Sequence, residues 1–207
     1  IMSILYGFLV IFFGMIGYFV YFDVVKSDNV TNNPNNVRIA KLSDTVTRGK
    51  IVTSDGTVLA ETLKDGNGEE YRYYPYENMF AHIIGYTSYG KAGLEAVCNK
   101  DLLTSHEKLM KQLSNGVASQ KNIGDNVITT LDTRLQKAAY EALDDYRGAV
   151  VAIEPKTGKV RALVSKPDFD PNKLDDMWNK ITSDSSQSCL LNRATQGLYP
   201  PGSTYKI

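Results

Sequence analysis

The sequence predicts an α+β chain with one N-terminal transmembrane helix, and three observations support that prediction. The chain opens with a long uncharged apolar segment, continues with short β-type runs and one helical stripe, and separates these by turns rich in glycine or proline. Its 207 residues include 23 basic and 23 acidic side chains. Because nucleic-acid binding calls for a basic patch, this balance predicts no nucleic-acid partner.

The first observation is the segment Ile4–Phe22, which contains no charged residue. At about 1.5 Å of rise per residue, its length matches the roughly 30 Å core of a bilayer. A buried helix of a soluble protein and a cleaved signal peptide are the alternatives, but Asp23–Lys26 lacks a small-residue cleavage pattern. We therefore expect a transmembrane anchor over residues 1–22 and a polar linker over residues 23–47.

A first folded region is predicted over residues 48–131, and we call it the pedestal. Short β-type runs flank Asp55-Gly56, which indicates a hairpin with a primed turn, whose two central residues both need positive φ. A helical stretch is expected to begin at Gly93, and a further β-type run closes the region.

A connecting helix is predicted over residues 132–147, starting near Asp132. Apolar residues then recur at helical spacing, which predicts a face packed into a core. This stripe consists of Leu135, Ala138, Ala139, Ala142, Leu143 and Tyr146.

The remaining residues, 148–207, form what we call the C-terminal region. A buried strand over Gly148–Ile153, a tight turn that ends at Gly158 and a returning strand from Val160 predict a second hairpin. A short helix over Lys173–Lys180 follows.

Metal and disulfide chemistry are not predicted. Cys98 and Cys189 lie far apart without CxxC spacing, and two cysteines cannot make a disulfide framework. His82 and His106 have no cluster of further ligands beside them, so a zinc site is not expected. We expect no cofactor and no metal.

Serine followed three residues later by lysine occurs three times, and roughly one such match is expected by chance. The matches are Ser88–Lys91, Ser105–Lys108 and Ser203–Lys206. Ser88 lies in a turn, and Ser105 resembles a helix N-cap, which is a structural role. Only Ser203 follows a proline–glycine corner that can launch a helix.

A serine at a helix start has its hydroxyl near unpaired N–H groups, and a residue three positions later lies on the same face. Partial desolvation can lower the pKa of a lysine, whose neutral amine can then take the hydroxyl proton. Ser203 and Lys206 are therefore the candidate nucleophile and base. On spacing alone, a helix cap beside a solvated lysine explains the pair at least as well.

Two other strings spell motifs that a few classes of penicillin-recognising enzymes carry later in the chain than the reactive serine. Ser27-Asp28-Asn29 reads SDN and Lys156-Thr157-Gly158 reads KTG, but both precede Ser203. We interpret the first as linker and the second as turn chemistry.

Several motifs, taken together and in order, resemble those of class B penicillin-binding proteins, the single-anchor transpeptidases of peptidoglycan synthesis. They are Arg48-Gly49-Lys50-Ile51 with Asp55-Gly56, Tyr74-Pro75, Gly93-Leu94-Glu95, Thr129-Thr130-Leu131-Asp132, Gly148–Val160 with Pro167–Asn172, Leu191-Asn192-Arg193-Ala194, and Tyr199–Lys206. The pedestal is most similar to the dimerisation-type domain of the A subgroup. Residues 148–207 are similar to the first strands and the active-site helix start of the transpeptidase domain.

The resemblance implies that Ser203 is acylated by the D-Ala–D-Ala carbonyl of a stem peptide, with Lys206 as general base. β-Lactams would acylate the same serine. It further implies a bacterial plasma-membrane protein with a single span and an extracytoplasmic folded part, a glycosyltransferase partner and a homodimer through the pedestal.

Two alternatives remain. Because the chain stops at Ile207, without the later SxN and KTG motifs, we expect a truncated fragment that is inactive alone. The literal chain then fits a catalytically silent, membrane-tethered interaction module. A β-lactam sensor that uses the same Ser-x-x-Lys pair is the other alternative.

Overall fold

The structure, a computed structural model, describes residues 2–26, 41–106, 121–184 and 186–206, and it confirms a mixed α+β fold. The helices in these ranges are α1 (Met2–Tyr21), α2 (Ala81–Ile84), α3 (Gly93–Val97), α4 (Asn99–Leu103), α5 (Thr133–Leu143), α6 (Leu174–Ser183) and α7 (Arg193–Gln196). The strands are β1 (Val46–Thr47), β2 (Ile51–Val52), β3 (Val58–Lys64), β4 (Glu70–Tyr73), β5 (Asn122–Ile123), β6 (Val127–Ile128), β7 (Gly148–Ile153) and β8 (Val160–Lys166).

The N-terminal helix is long and apolar enough to cross a membrane, as judged by length and composition. The apolar stretch covers Tyr6–Lys26, with a mean hydropathy of 2.1, and none of it is buried against the rest of the protein. Its last turn, Phe22–Lys26, is a π-helix. An apolar helix that is exposed on every side needs an apolar surrounding, because leaving that surface in water is unfavourable. Most of the predicted linker lies outside the described residues.

The pedestal is built on a four-stranded mixed sheet with the strand order β4-β3-β2-β6. β2 pairs antiparallel with β3 and parallel with β6. Its core is a cluster of buried side chains from the sheet, from two helices and from the segments that adjoin them: Ile51, Leu59, Ala60, Tyr74, Phe80, Ile84, Leu102 and Leu131. β1 and β5 form a separate parallel pair beside this sheet.

The predicted β2–β3 hairpin is confirmed, but the predicted primed turn is wrong. Of the two central residues, only Gly56 has positive φ, at 86°. Its N–H donates to the Thr53 carbonyl at 3.0 Å, and the Thr57 N–H donates to the Thr53 hydroxyl at 3.0 Å. The threonine side chain thus closes a longer loop, in which a single left-handed glycine is sufficient.

The C-terminal region begins with the predicted hairpin of β7 and β8, whose turn places Gly158 at a φ of 71°. The prediction that β7 is a buried strand is wrong, because its residues alternate between half-buried and exposed, with Val151 43% and Ile153 55% exposed. Among the described strands β7 pairs only with β8, so its outer face has no covering element there.

Helix α6 of the C-terminal region packs into a second core made of Ala81, Phe169, Leu174 and Ile181. Ala81 comes from the pedestal, so this core is shared between the two regions. Asn172 strengthens the junction, because its side-chain amide exchanges two hydrogen bonds of 2.9 Å with the backbone of Tyr74.

The connecting helix α5 begins as predicted, since the Asp132 side chain accepts hydrogen bonds from the backbone N–H groups of Arg134 and Leu135. The predicted core stripe is wrong for most of its members. Leu135 is 46% exposed and Tyr146 is 75% exposed. α5 instead faces β8 with Gln136, whose side chain is fully buried. The hydrogen bonds of the Gln136 amide, which a count of apolar residues does not detect, favour the burial of this face of the helix.

Gln136 satisfies three backbone groups of other segments at once. Its Nε2 donates to the carbonyls of Met79 and Leu163 at 2.8 Å each, and its Oε1 accepts from the Leu163 N–H at 2.9 Å. Met79 belongs to the pedestal and Leu163 to β8, so this one side chain joins α5 to both regions.

Replacing Gln136 with leucine is expected to lower the free energy of unfolding by about 2–4 kcal/mol, because buried backbone groups lose their partners. Urea denaturation measures this change. Lys137→Met, at an exposed site on the same helix, is the control and is expected to change stability by less than about 0.5 kcal/mol. Equal stabilities of the two variants would show that the buried amide contributes nothing.

Candidate active site

Ser203 and Lys206 lie in one 3₁₀-helical segment, Gly202–Lys206. Gly202 has a φ of 56°, a left-handed conformation that glycine adopts without strain and that lets the chain turn after the two prolines. In a 3₁₀-helix, residues three apart eclipse each other, so the serine and the lysine share one face. The sequence predicted a helix start here, and the structure shows a 3₁₀ segment at that place.

Both side chains are exposed to solvent in the described part of the chain. The serine hydroxyl is therefore accessible to a substrate. The amine-bearing side chain of Lys206 is likewise open to solvent in this part of the chain.

The segment that leads to Ser203 is fixed by the short helix α7. Asn192 caps this helix, because its Oδ1 accepts from the Ala194 N–H at 3.1 Å. The Nδ2 of the same side chain donates to the His82 carbonyl at 3.2 Å. A single asparagine thus starts the helix and ties it to the pedestal.

Arg193 fastens the other side of α7. Its side chain is buried and donates to two backbone carbonyls, from Nη1 to Ser188 at 3.1 Å and from Nη2 to Gln187 at 2.8 Å. Its backbone N–H donates to the hydroxyl of Ser165, on β8, at 2.9 Å. The asparagine–arginine pair therefore ties α7, which precedes Ser203 in the chain, to β8 and to the pedestal.

Ser88 of the Ser88–Lys91 string lies in a bend and not in a helical segment, and Lys108 of the Ser105 string lies outside the described residues. The Lys156-Thr157-Gly158 string forms the β7–β8 turn, where the Thr157 hydroxyl donates to Glu154 at 2.8 Å. This confirms its interpretation as turn chemistry. The helix predicted after Ser105 and the SDN string lie outside the described residues.

His82, Cys98 and Cys189 lie in partly buried, packed surroundings that favour a structural role. The ring of His82 packs edge-on against Phe169, with 5.3 Å between ring centroids, and its Nε2 lies 3.3 Å from the Pro167 carbonyl. Burial lowers the pKa of His82, which favours the neutral ring. Burial also raises the pKa of the thiols of Cys98 and Cys189, which disfavours the nucleophilic thiolate.

A second polar centre, which sequence reasoning missed, lies inside the pedestal. Glu95 is fully buried between two guanidinium groups, with its Oε2 2.6 Å from Arg48 Nε and its Oε1 2.7 Å from Arg72 Nε. Arg48 also donates to the Asn99 side chain and to the Glu95 carbonyl, both at 2.7 Å. Burial lowers the pKa of Arg48, and the charge of Glu95 opposes that effect.

No local pattern could have revealed this centre, because its charged members are 23 and 47 residues apart in the chain. The sequence signal for Arg193 was present in the Asn-Arg-Ala string, but the resemblance did not show its role. The sequence signal for a buried Gln136 was its position next to Leu135, the first residue of the apolar stripe.

The class of protein follows from three features in this order. They are an apolar helix of membrane-spanning length, a small mixed-sheet pedestal and a hairpin region that ends in a serine–lysine turn. The model of the penicillin binding protein A dimerisation domain matches residues 48–127, and that of the penicillin binding protein transpeptidase domain matches residues 148–207. The chain belongs to the class B penicillin-binding proteins.

Among curated relatives, the chain is similar to the peptidoglycan D,D-transpeptidase PbpA of Mycolicibacterium smegmatis, with 37% identity over 89% of this chain and 40% of that protein. It is 34% identical to the peptidoglycan D,D-transpeptidase MrdA of Escherichia coli, over 67% of this chain and 28% of that protein. The chain thus spans about two fifths or less of the length of these relatives.

Among solved structures, the chain is similar to the crystal structure of PBPA from Mycobacterium tuberculosis. The TM-score is 0.69 at 35% identity, over 78% of this chain and 40% of that one. An imipenem acyl-enzyme complex of the same mycobacterial protein gives a TM-score of 0.68, over 78% of this chain and 41% of that one.

Proposed function

We propose that this chain carries the acylation half-site of a serine-type peptidoglycan D,D-transpeptidase. The observation that supports the proposal is the serine–lysine turn at Ser203 and Lys206, at the end of a region that matches the transpeptidase domain. Its relatives are named peptidoglycan D,D-transpeptidases, and a solved relative is an imipenem acyl-enzyme. Both facts favour a serine that accepts an acyl group.

In the proposed reaction, Lys206 takes the hydroxyl proton as the Ser203 oxygen attacks the carbonyl of the penultimate D-Ala of a stem peptide. The oxygen–carbon bond forms, the peptide C–N bond breaks, and the proton passes to the amine of the departing D-Ala. The amine of a second stem peptide then attacks the ester. It forms the cross-link and returns a proton to the serine oxygen.

The negative oxygen of each tetrahedral intermediate needs hydrogen-bond donors. The backbone N–H of Ser203 is the proposed first donor. A KTG-type strand of the whole protein is the proposed second donor, and the same surface would cover the amine of Lys206. A β-lactam would acylate Ser203 in place of the stem peptide.

The proposed setting is the bacterial plasma membrane, with α1 as a single span and the folded part on the extracytoplasmic side. Stem peptides are the proposed substrates and β-lactams the proposed inhibitors. A membrane glycosyltransferase and a second copy of the chain, bound through the pedestal, are the proposed protein partners.

We also propose limits for the parts of the chain. They are a transmembrane anchor over residues 1–22, a linker over 23–47, a pedestal over 48–131, a connecting helix over 132–147 and the start of a transpeptidase domain over 148–207. The two family matches, over 48–127 and 148–207, favour a boundary between the last two folded parts.

A second candidate function is a tethered interaction module in which Ser203 has no chemical role. The exposure of both Ser203 and Lys206 favours this candidate for the 207 residues taken alone. It predicts that Ser203→Ala leaves every property of the chain unchanged.

Release of D-Ala from a stem pentapeptide tests the proposed activity in the membrane protein that the whole gene encodes. Ser203→Ala is expected to lower the rate of release by at least about 10³-fold, because alanine lacks the hydroxyl that forms the ester. Ser88→Ala, at a serine of the same Ser-x-x-Lys spacing, is the matched control and is expected to keep full activity. Release that survives in Ser203→Ala would overturn the proposal.

A further inference from the structure

A cavity of about 250 Å³ opens in the pedestal next to the buried Glu95 centre, far in sequence from Ser203. Its lining includes three cationic side chains, Arg48, Arg72 and Lys91, and several hydroxyl-bearing residues, among them Thr62 and Thr87. Such a concentration of cations around one small cavity is electrostatically unfavourable unless negative charge compensates it.

The protein's own negative charge compensates only part of this. Glu95 faces the two arginines and is shared between them. Glu70, the one acidic residue among the described lining residues, is engaged elsewhere, by Lys121 at 2.9 Å and by the Thr47 hydroxyl at 2.6 Å. The three cations around the cavity therefore exceed the carboxylates directed at them.

Arg72 provides an independent observation at the same place. Its side chain is only 6% exposed, its Nε donates to Glu95, and its Nη1 donates to the Gly49 carbonyl at 2.7 Å and to the Thr62 hydroxyl at 3.1 Å. Its Nη2 is buried and has no hydrogen-bond acceptor among the described residues. A buried guanidinium donor without an acceptor is costly, and an oxygen-bearing anion would remove that cost.

Lys91 is the third cation, and it has no ion-pair partner within the part of the chain that the structure describes. Burial lowers the pKa of Lys91, the charge of Arg48 acts in the same direction, and the charge of Glu95 opposes both. A nearby anion would stabilise its charged form.

We propose that this pedestal cavity binds a small oxyanion, a carboxylate or a phosphate, between the Arg72 and Lys91 side chains. Arginine suits such a ligand because its planar donors match carboxylate and phosphate oxygens. Lysine adds a compact positive charge to the lining. A purely structural role for the cluster accounts for Glu95 but leaves the Nη2 donor and Lys91 unexplained.

An anion bound in the cavity would also affect residues outside it, because Lys91 belongs to the turn that carries Tyr89. The ring of Tyr89 stacks on Trp178 of α6, with 4.3 Å between centroids and 9° between planes. An anion held by Lys91 would therefore steady the contact between the pedestal and the C-terminal region.

Isothermal titration of the full chain in detergent tests the proposal, with inorganic phosphate and acetate as separate ligands and chloride holding the ionic strength constant. We expect saturable binding of at least one of the two ions, with one site per chain. Binding of phosphate alone identifies a phosphoryl ligand, and binding of acetate identifies a carboxylate. Saturation by neither ion would overturn the proposal.

Variants of Lys91 locate the site without disturbing the buried arginines. Lys91→Gln is expected to raise the dissociation constant for the anion at least tenfold, and Lys91→Arg is expected to retain binding. Lys100→Gln, at an exposed lysine on α4, is the matched control and is expected to bind as the unaltered chain does. Thermal melts without the anion check that all three variants fold. Equal affinities of Lys91→Gln and Lys100→Gln would place any bound ion elsewhere and contradict the proposal.

Discussion

Replacing Lys206 with methionine is expected to lower the second-order rate of acylation by a penicillin about 10²- to 10⁴-fold in the whole protein. Proton transfer by a positioned side chain contributes a factor of that size, and methionine keeps the length of the side chain but cannot accept a proton. Stopped-flow or gel-based detection of a fluorescent penicillin measures the rate. The loss should appear in the rate of acylation and not in the final amount of adduct, because the nucleophile is unchanged.

Lys156→Met is the matched control for this experiment. Lys156 belongs to the string that spells KTG, but it lies in the exposed β7–β8 turn. We expect its replacement to leave the acylation rate within about twofold of the unaltered protein, as is usual for exposed surface positions. A comparable loss in both lysine variants would show that the string in the turn is functional and that the role proposed for Lys206 is not specific.

Replacing Glu95 with glutamine is expected to lower the free energy of unfolding of the pedestal by about 3–5 kcal/mol. The carboxylate lies between Arg48 and Arg72, whose side chains are 11% and 6% exposed. Glutamine keeps the shape of the side chain but leaves two buried cations without a counter-charge, which is the situation in which breaking a buried pair is most costly.

Urea denaturation followed by the fluorescence of Trp178 measures this loss. Trp178 is the only tryptophan in the chain and packs on Tyr86 and Tyr89 of the pedestal, so its emission reports when that contact breaks. Glu61→Gln is the control, because Glu61 also forms an ion pair, with Lys50 at 2.7 Å, but on the surface. Surface pairs contribute about 0–1 kcal/mol, so a similar loss in both variants would refute the importance of burial.

The sequence was sufficient to predict features that depend on local chain geometry. Both hairpins followed from β-type runs around a glycine, and Gly56 and Gly158 do adopt positive φ. The start of α5 followed from Asp132, whose side chain caps the helix. The primed turn was wrong because the hydroxyl of Thr53 provided a bond that a count of glycines and aspartates does not include.

Features that depend on residues distant in the chain could not be predicted in this way. The charges of Arg48, Arg72 and Glu95 meet only because the sheet and α3 bring them together. The apolar stripe of α5 was expected to be buried, yet Gln136 faces inward, since three backbone groups of other segments require its amide. Spacing shows which residues share a helix face, but the neighbours of that face decide whether it is buried.

The candidate site shows the same division. The Ser-x-x-Lys spacing identified three equivalent strings, and only the proline–glycine corner favoured Ser203. The structure places Ser203 and Lys206 in one turn and shows how Asn192 and Arg193 fix its approach. These anchoring contacts reach β8 and the pedestal, so they become visible only when the fold is known.

The most direct measurement is peptide mapping by mass spectrometry after the whole protein has reacted with penicillin G. We expect one adduct per chain, on the peptide that contains Ser203, and no adduct in Ser203→Ala. An adduct on the peptides of Ser88 or Ser105, or a Ser203→Ala variant that is still modified to the same extent, would contradict the assignment of Ser203 as the acylated residue.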